Sequence, residues 1–243
     1  MTAIVIAVLA ALPAPQPLAA PELLIGVAYS APASVPDVLL VSDMRAMRRA
    51  GYNIVFVEDP ASRDRLGPAA IAERIPIIDA VPQDSTRIKI GSGVQAVSEA
   101  RLALWDAIAS GTRNVVFEAP GRRFTQELRA LGESAGVITR NQALFMPLRP
   151  RKTGVRSIEG EGGAPVEVKL LESRDVLMII ALNRAVAPRK ATITFRQDIP
   201  EAIWQNLESG TSVDFVMGKT GPVLEHTFAP RDALVLMIGK RFR

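Results

Sequence analysis

Three apolar, largely β-branched runs in this chain end on acids. Glu58 and Asp59 follow Tyr52–Val57 (YNIVFV), Asp79 follows Ile75–Ile78, and Glu118 follows Asn114–Phe117 (NVVF). Such runs read as buried strands, and in a parallel sheet the carboxyl ends of the strands form one face that carries ligands and catalysts. Two carboxyl groups held there about 5 to 9.5 Å apart can protonate a leaving oxygen and stabilise an oxocarbenium-like transition state. Glu118, Glu58 and Asp59 are therefore the candidate catalytic residues. Asp79, and Tyr29 at the end of the run Leu23–Ala28, are candidate substrate contacts. Turn and helix-cap chemistry also places Asp and Glu after strands, so any one of these acids has a structural explanation as well.

Other chemistries are excluded more firmly. The 243 residues include no cysteine and one histidine, His226, which rules out thiolate nucleophiles, disulfides and a local His-x-x-x-His zinc site. No metal or cofactor is implied. Gly91-Ser92-Gly93 lacks the downstream lysine of a phosphate-binding loop, and neither Ser98 nor Ser134 stands in a Gly-x-Ser-x-Gly elbow. Lys and Arg number 29 against 25 Asp and Glu, a net charge of only +4. The basic residues are scattered apart from Arg149, Arg151 and Lys152 and the terminal Lys240, Arg241 and Arg243, so nucleic acid is not an expected partner. His226 reads as structural, Trp105 as core, and Trp204 as packing at a sheet edge or a domain interface.

The elements that must position the acids alternate. Leu23–Ala28 predicts a strand. Residues 36–50 place Val38, Val41 and Met44 at helical steps between Pro36 and Gly51. Strand Tyr52–Val57, a short helix Pro68–Arg74, and strands Ile75–Ile78 and Thr86–Ile90 follow. A helix capped by Ser98 and stopped by Gly111, the strand ending in Glu118, and a helix Phe124–Glu133 complete an alternating pattern, which implies a parallel sheet covered by helices. Residues 148–165, rich in proline, glycine and charge, read as a linker. Beyond them, short runs at intervals of eight to twelve residues predict an antiparallel β-sandwich over 166–243. Ahead of everything, Ala3–Leu12 (AIVIAVLAAL) has the size of a secretory hydrophobic region and is too short to span a bilayer. A signal peptide over 1–21 and a secreted or periplasmic protein are expected.

Three segments, in order, give the chain a family likeness. Asp43–Val57 (DMRAMRRAGYNIVFV) resembles the first helix and second strand of bacterial beta-galactosidase-like and cellulase-like glycoside hydrolases. Arg101–Phe117 (RLALWDAIASGTRNVVF) is similar to the helix that feeds their eighth barrel strand. The tail, with Phe228–Leu236 (FAPRDALVL), resembles the all-β domain that follows such barrels. The resemblance implies a (β/α)8 catalytic barrel with a general acid after strand four and a nucleophile after strand seven. Length contradicts a whole barrel. About 43 residues separate Val57 from Arg101, whereas one βα unit takes about 30, so five strands and their helices do not fit. The implied strand-four acid has no counterpart, and Gly91–Gln95, after the strand-seven equivalent, contain no carboxylate.

The expected architecture is α/β plus all-β, a reduced (β/α) barrel-like layer followed by an antiparallel sandwich. The expected function is that of an exported, glycoside-hydrolase-like protein that acts on or binds carbohydrate: either a reduced hydrolase that performs O-glycosyl hydrolysis with Glu58 or Asp59 and Glu118, or a remnant without a full catalytic pair that only binds sugar. The alternative is a non-catalytic binding or assembly module whose incomplete sheet is completed by a partner or by a second copy in a homo-oligomer.

Overall fold

A computed structural model describes residues 22–160, 166–199 and 204–239. The expected leader lies outside the described residues. The first half contains β1 (Leu24–Ala28), α1 (Asp37–Arg49), β2 (Ile54–Phe56), α2 (Pro60–Glu73), β3 (Ile77–Ile78), β4 (Thr86–Lys89), α3 (Val94–Ala109), β5 (Asn114–Glu118), α4 (Gln126–Arg140) and the short α5 (Gln142–Phe145). Its five strands form an open, all-parallel sheet in the order β3-β2-β1-β5-β4. The chain winds outward from the central β1 to one edge, then jumps to the other edge and returns to β1's free side. This is the reduced barrel-like layer that the length arithmetic required.

The two faces of that sheet are unequal. Ile25, Val27, Val55, Val57, Ile88, Val115 and Phe117 point to the helices and belong to a large core with Met44, Met47, Trp105, Leu128 and Leu131. The alternate residues Leu24, Ala28, Ile54, Phe56 and Val116 form a small second cluster on the opposite, inner face. Among the described residues, no helical residue joins this cluster. The β3–β4 connection lies against it, with Val81 packed on the cluster. Asp84 of the same connection accepts from Asn114 Nδ2 at 2.9 Å. The strap occupies the side on which a closed barrel would have its interior.

Several element boundaries differ from those the sequence predicts. α2 begins at Pro60 rather than Pro68, because Asp59 caps it and Pro60 takes the first helical position, where a missing N–H costs nothing. Pro68 is tolerated inside it. α3 starts at Val94, directly after Gly93 at φ 93°, so Ser98 lies within the helix and does not cap it. α4 continues to Arg140, past the expected end at Glu133, and packs closely on the end of α1. A Cβ at Gly132 would stand 2.6 Å from the Ala50 carbonyl oxygen, and one at Gly51 would stand 2.3 Å from the Gly136 Cα.

The second half is a sandwich of two antiparallel sheets, and the expected linker is part of it. β6 (Arg149–Arg151) and β7 (Val155–Gly160) fall inside 148–165 and are edge strands, one in each sheet. Charged residues are how edge strands avoid pairing with other chains, and that charge is what made the stretch resemble a linker. The remaining strands are β8 (Glu167–Glu172), β9 (Val176–Asn183), β10 (Arg189–Phe195), β11 (Trp204–Asn206), β12 (Ser212–Val213), β13 (Val216–Gly218), β14 (Gly221–Phe228) and β15 (Asp232–Gly239). The sheet orders are β12-β11-β15-β9-β8-β6 and β13-β14-β10-β7.

β9 is buried at every position, and its alternation shows why. Leu177, Ile179 and Ala181 face the sandwich core, while Met178, Ile180 and Leu182 join the core beneath α3 and α4. A strand buried on both faces reads as a continuous apolar run, as VLMIIALN does. Trp204 lies inside the sandwich, its ring stacked 4.1 Å from that of Phe215, rather than at an edge.

Candidate functional site

The parallel sheet brings the predicted acids to one end. Glu118 is the last residue of β5, Glu58 lies two residues beyond β2, and Asp79 follows β3. Register places Ala28, the last residue of β1, between the ends of β2 and β5. Its small side chain leaves room for longer groups from either side to meet.

Glu58 and Glu118 meet through Arg87, a β4 residue that sequence reasoning did not single out. Arg87 Nη1 donates to Glu118 Oε1 at 2.7 Å and lies 3.3 Å from Glu58 Oε1, and Nη2 is also 3.3 Å from that oxygen. Arg122, in the turn after β5, reaches Glu58 Oε2 at 2.7 Å. The Arg122 guanidinium, reinforced by Arg87, holds the Glu58 carboxyl below the usual carboxylate range despite an opposing contribution from burial. The two predicted acids are thus adjacent but ion-paired, in an array open to solvent: Arg87 is 45% exposed and Glu58 36%. One sequence signal pointed to Arg87. In TRIKI the apolar Ile88 and Ile90 face the helices, so Arg87 and Lys89 project to the inner face beside the acids. Arg122 carries φ 50°, an unusual value for a residue other than glycine, which no sequence pattern announces.

The other three candidates have structural partners. Asp59 accepts from the Ser62 amide at 2.7 Å as the cap of α2, and the Ser62 hydroxyl together with that amide lowers its pKa. Asp79 pairs with Arg63 on the exposed surface. Tyr29, expected to touch substrate, belongs to the helix-side core. Its hydroxyl donates to Asp43 Oδ2 at 2.5 Å, and Arg123 lies over its ring. Burial, followed by Asp43, pushes the phenol pKa well up, so Tyr29 is a neutral buried donor and not a surface contact.

A second arginine bridge was not foreseen. Arg101 of α3 pairs with Glu208, after β11, and places Nη1 2.8 Å from Asp232 Oδ1. Glu208 also accepts from Trp105 Nε1 at 2.9 Å and from the Ser134 hydroxyl. Burial works against the Arg101 charge, but Glu208 and Asp232 outweigh it and leave its pKa raised. Beside it, Asp106 takes Lys169 Nζ at 2.6 Å and Arg184 Nη2 at 3.0 Å. These contacts join the helices to the six-stranded sheet, and their partners lie more than a hundred residues apart in part, beyond the reach of local pattern. Among the described residues no group of three metal-ligating side chains converges, and no helix is long and apolar enough to cross a membrane.

No family model matches the chain, and no curated protein matches it. Among solved structures, it is similar in layout to a maltogenic alpha-amylase from Thermotoga neapolitana, at 10% identity over 88% of this chain and 61% of that one, with a TM-score of 0.42. It is similar also to an alpha-amylase from Geobacillus thermoleovorans, at 12% identity over 85% of this chain and 47% of that one, with a TM-score of 0.41. An alpha-fucosidase from Thermotoga maritima gives 13% identity over 83% of this chain and 55% of that one, with a TM-score of 0.35. The chain thus spans about half to three fifths of the length of these structures.

Proposed function

We propose that this chain binds carbohydrate without hydrolysing it, at the carboxyl ends of the parallel strands. The observation that carries this reading is the Arg87 bridge between Glu58 and Glu118, completed by Arg122. Hydrolysis by a carboxyl pair requires one member protonated near working pH, usually through burial away from cations. Here Glu58 is held ionised by two guanidinium groups, and Arg87 also neutralises Glu118. The Glu58 environment does not favour a general acid. The same groups suit recognition of hydroxyls. A planar guanidinium presents fixed paired donors and each carboxylate presents acceptors, which together can grip vicinal hydroxyl groups of a sugar. Export remains part of the proposal and rests on the leader-like run Ala3–Leu12.

The assembly reading is the weaker one. β3, at one open edge, has only two residues, and β4, at the other, carries Arg87 and Lys89. Both features blunt an edge against added strands.

Calorimetric titration with cello-, galacto- and malto-oligosaccharides, together with aryl-glycoside assays, tests the proposal. Binding by the native chain, its loss in Arg87→Ala, and no turnover are expected. Turnover abolished by Glu118→Gln would overturn the non-hydrolytic reading.

A further inference from the structure

On the opposite side of the helices from the strand-end array, α1 and α4 enclose a groove of about 780 Å³ lined by Arg45, Arg49, Arg129 and Arg140. Arg140 also lines a neighbouring cavity of about 300 Å³ together with Arg48 and Arg74. The arginines that look scattered in sequence are therefore gathered along a channel made of two neighbouring cavities that share Arg140. The close approach of α4 to the end of α1 at Gly132, Gly136 and Gly51 produces it, because the two helices bring their arginines to the same crossing. Arg45 pairs with Glu73, and Arg129 lies over the Phe124 ring. Arg49, Arg74 and Arg140 have no ion pair among the described residues. Of the two acids on the larger groove, Glu208 is already neutralised by Arg101, which leaves Glu133.

We infer that this channel binds an anionic oligosaccharide, one that bears sulfate esters or uronate carboxylates along its length. The inference rests on the carbohydrate reading for its sugar backbone and on the arginines for its charge. Guanidinium forks match both kinds of oxyanion bidentately, and several in a row suit a ligand with repeated charges rather than a single ion. A nucleic acid is less well matched. Among the described residues that line the two cavities the only aromatic side chain is Tyr52, which is buried and donates its hydroxyl to the Leu128 carbonyl, so no lining ring is presented as a stacking platform for bases.

Titration of the full chain with a heparin-derived hexasaccharide, an oligogalacturonate and a thymidine oligonucleotide of equal charge tests it, with Arg49→Ala/Arg140→Ala as the variant. The variant should bind the anionic sugars about tenfold more weakly at unchanged melting temperature. Glu133→Gln should bind them more tightly, and added salt should weaken both. Sulfated-only or carboxylate-only binding would each support the site and identify its charge group. Absence of binding, binding undiminished in the double variant, or equal binding of the oligonucleotide would overturn it. Arg87→Ala separates the two proposals: it should abolish neutral-sugar binding and leave the anionic sugars bound as before.

Discussion

Arg87 and Arg101 each bridge two carboxylates, yet they sit in opposite settings. Arg101, 26% exposed, ties α3 to Glu208 and Asp232 across the seam between the helices and the six-stranded sheet, and Glu208 is anchored further by Trp105 and Ser134. Arg87, 45% exposed, joins the ends of β2, β4 and β5, where the backbone already holds the strands together. An ion pair withdrawn from water is costly to break from one side, because the remaining charge keeps its desolvation penalty without a partner. An exposed pair contributes little to stability because water and salt screen it. The same chemical motif is therefore shielded from water in one place and screened by it in the other.

That contrast orders the expected effects of mutation. Arg101→Ala should be the most damaging, at about 3 kcal/mol in urea denaturation, since it strands Glu208 at the seam. Loss below about 1 kcal/mol would erase the distinction between the two bridges. Next is Gly132→Ala, which drives a methyl group against the Ala50 backbone and should cost about 1–3 kcal/mol while prising α4 from α1. Arg87→Ala should cost no more than about 1 kcal/mol by the same denaturation measurement.

The smallest effect is in pH dependence. Glu58 is held below its ordinary pKa by Arg122 and Arg87, and Asp106, despite burial, by Lys169 and Arg184. Carboxyls depressed in the folded state stabilise it above the unfolded pKa of about 4 and lose that contribution as pH falls through the folded value. Stability should therefore decline on acidification below about pH 5, and Arg122→Ala should flatten that decline slightly.

The strand-end acids and the core strands were legible in the sequence because each is a local pattern. The run at Tyr52–Val57 and the acids after it gave both the inner strand β2 and the position of Glu58. The count of residues between Val57 and Arg101 excluded a complete barrel, and the open five-stranded order agrees. What sequence could not show is pairing over distance. Arg87 is one of two cations in an edge strand until the fold sets it against Glu58 and Glu118, and Glu208 is an ordinary turn residue until it meets Arg101. β6 and β7 were missed for a related reason: edge strands carry charge, and charge near proline and glycine reads as linker. Tyr29 follows a strand as the acids do, but its ring turns to the helix side, an orientation set by tertiary packing.

The central claim is that the Arg87 array recognises a ligand and contributes little to holding the fold. Calorimetric titration of Arg87→Ala with the oligosaccharide bound by the native chain, together with the variant's melting temperature, tests it most directly. The account predicts that binding is lost while the melting temperature stays within a few degrees of native. Undiminished binding, or unfolding of the variant, would contradict it.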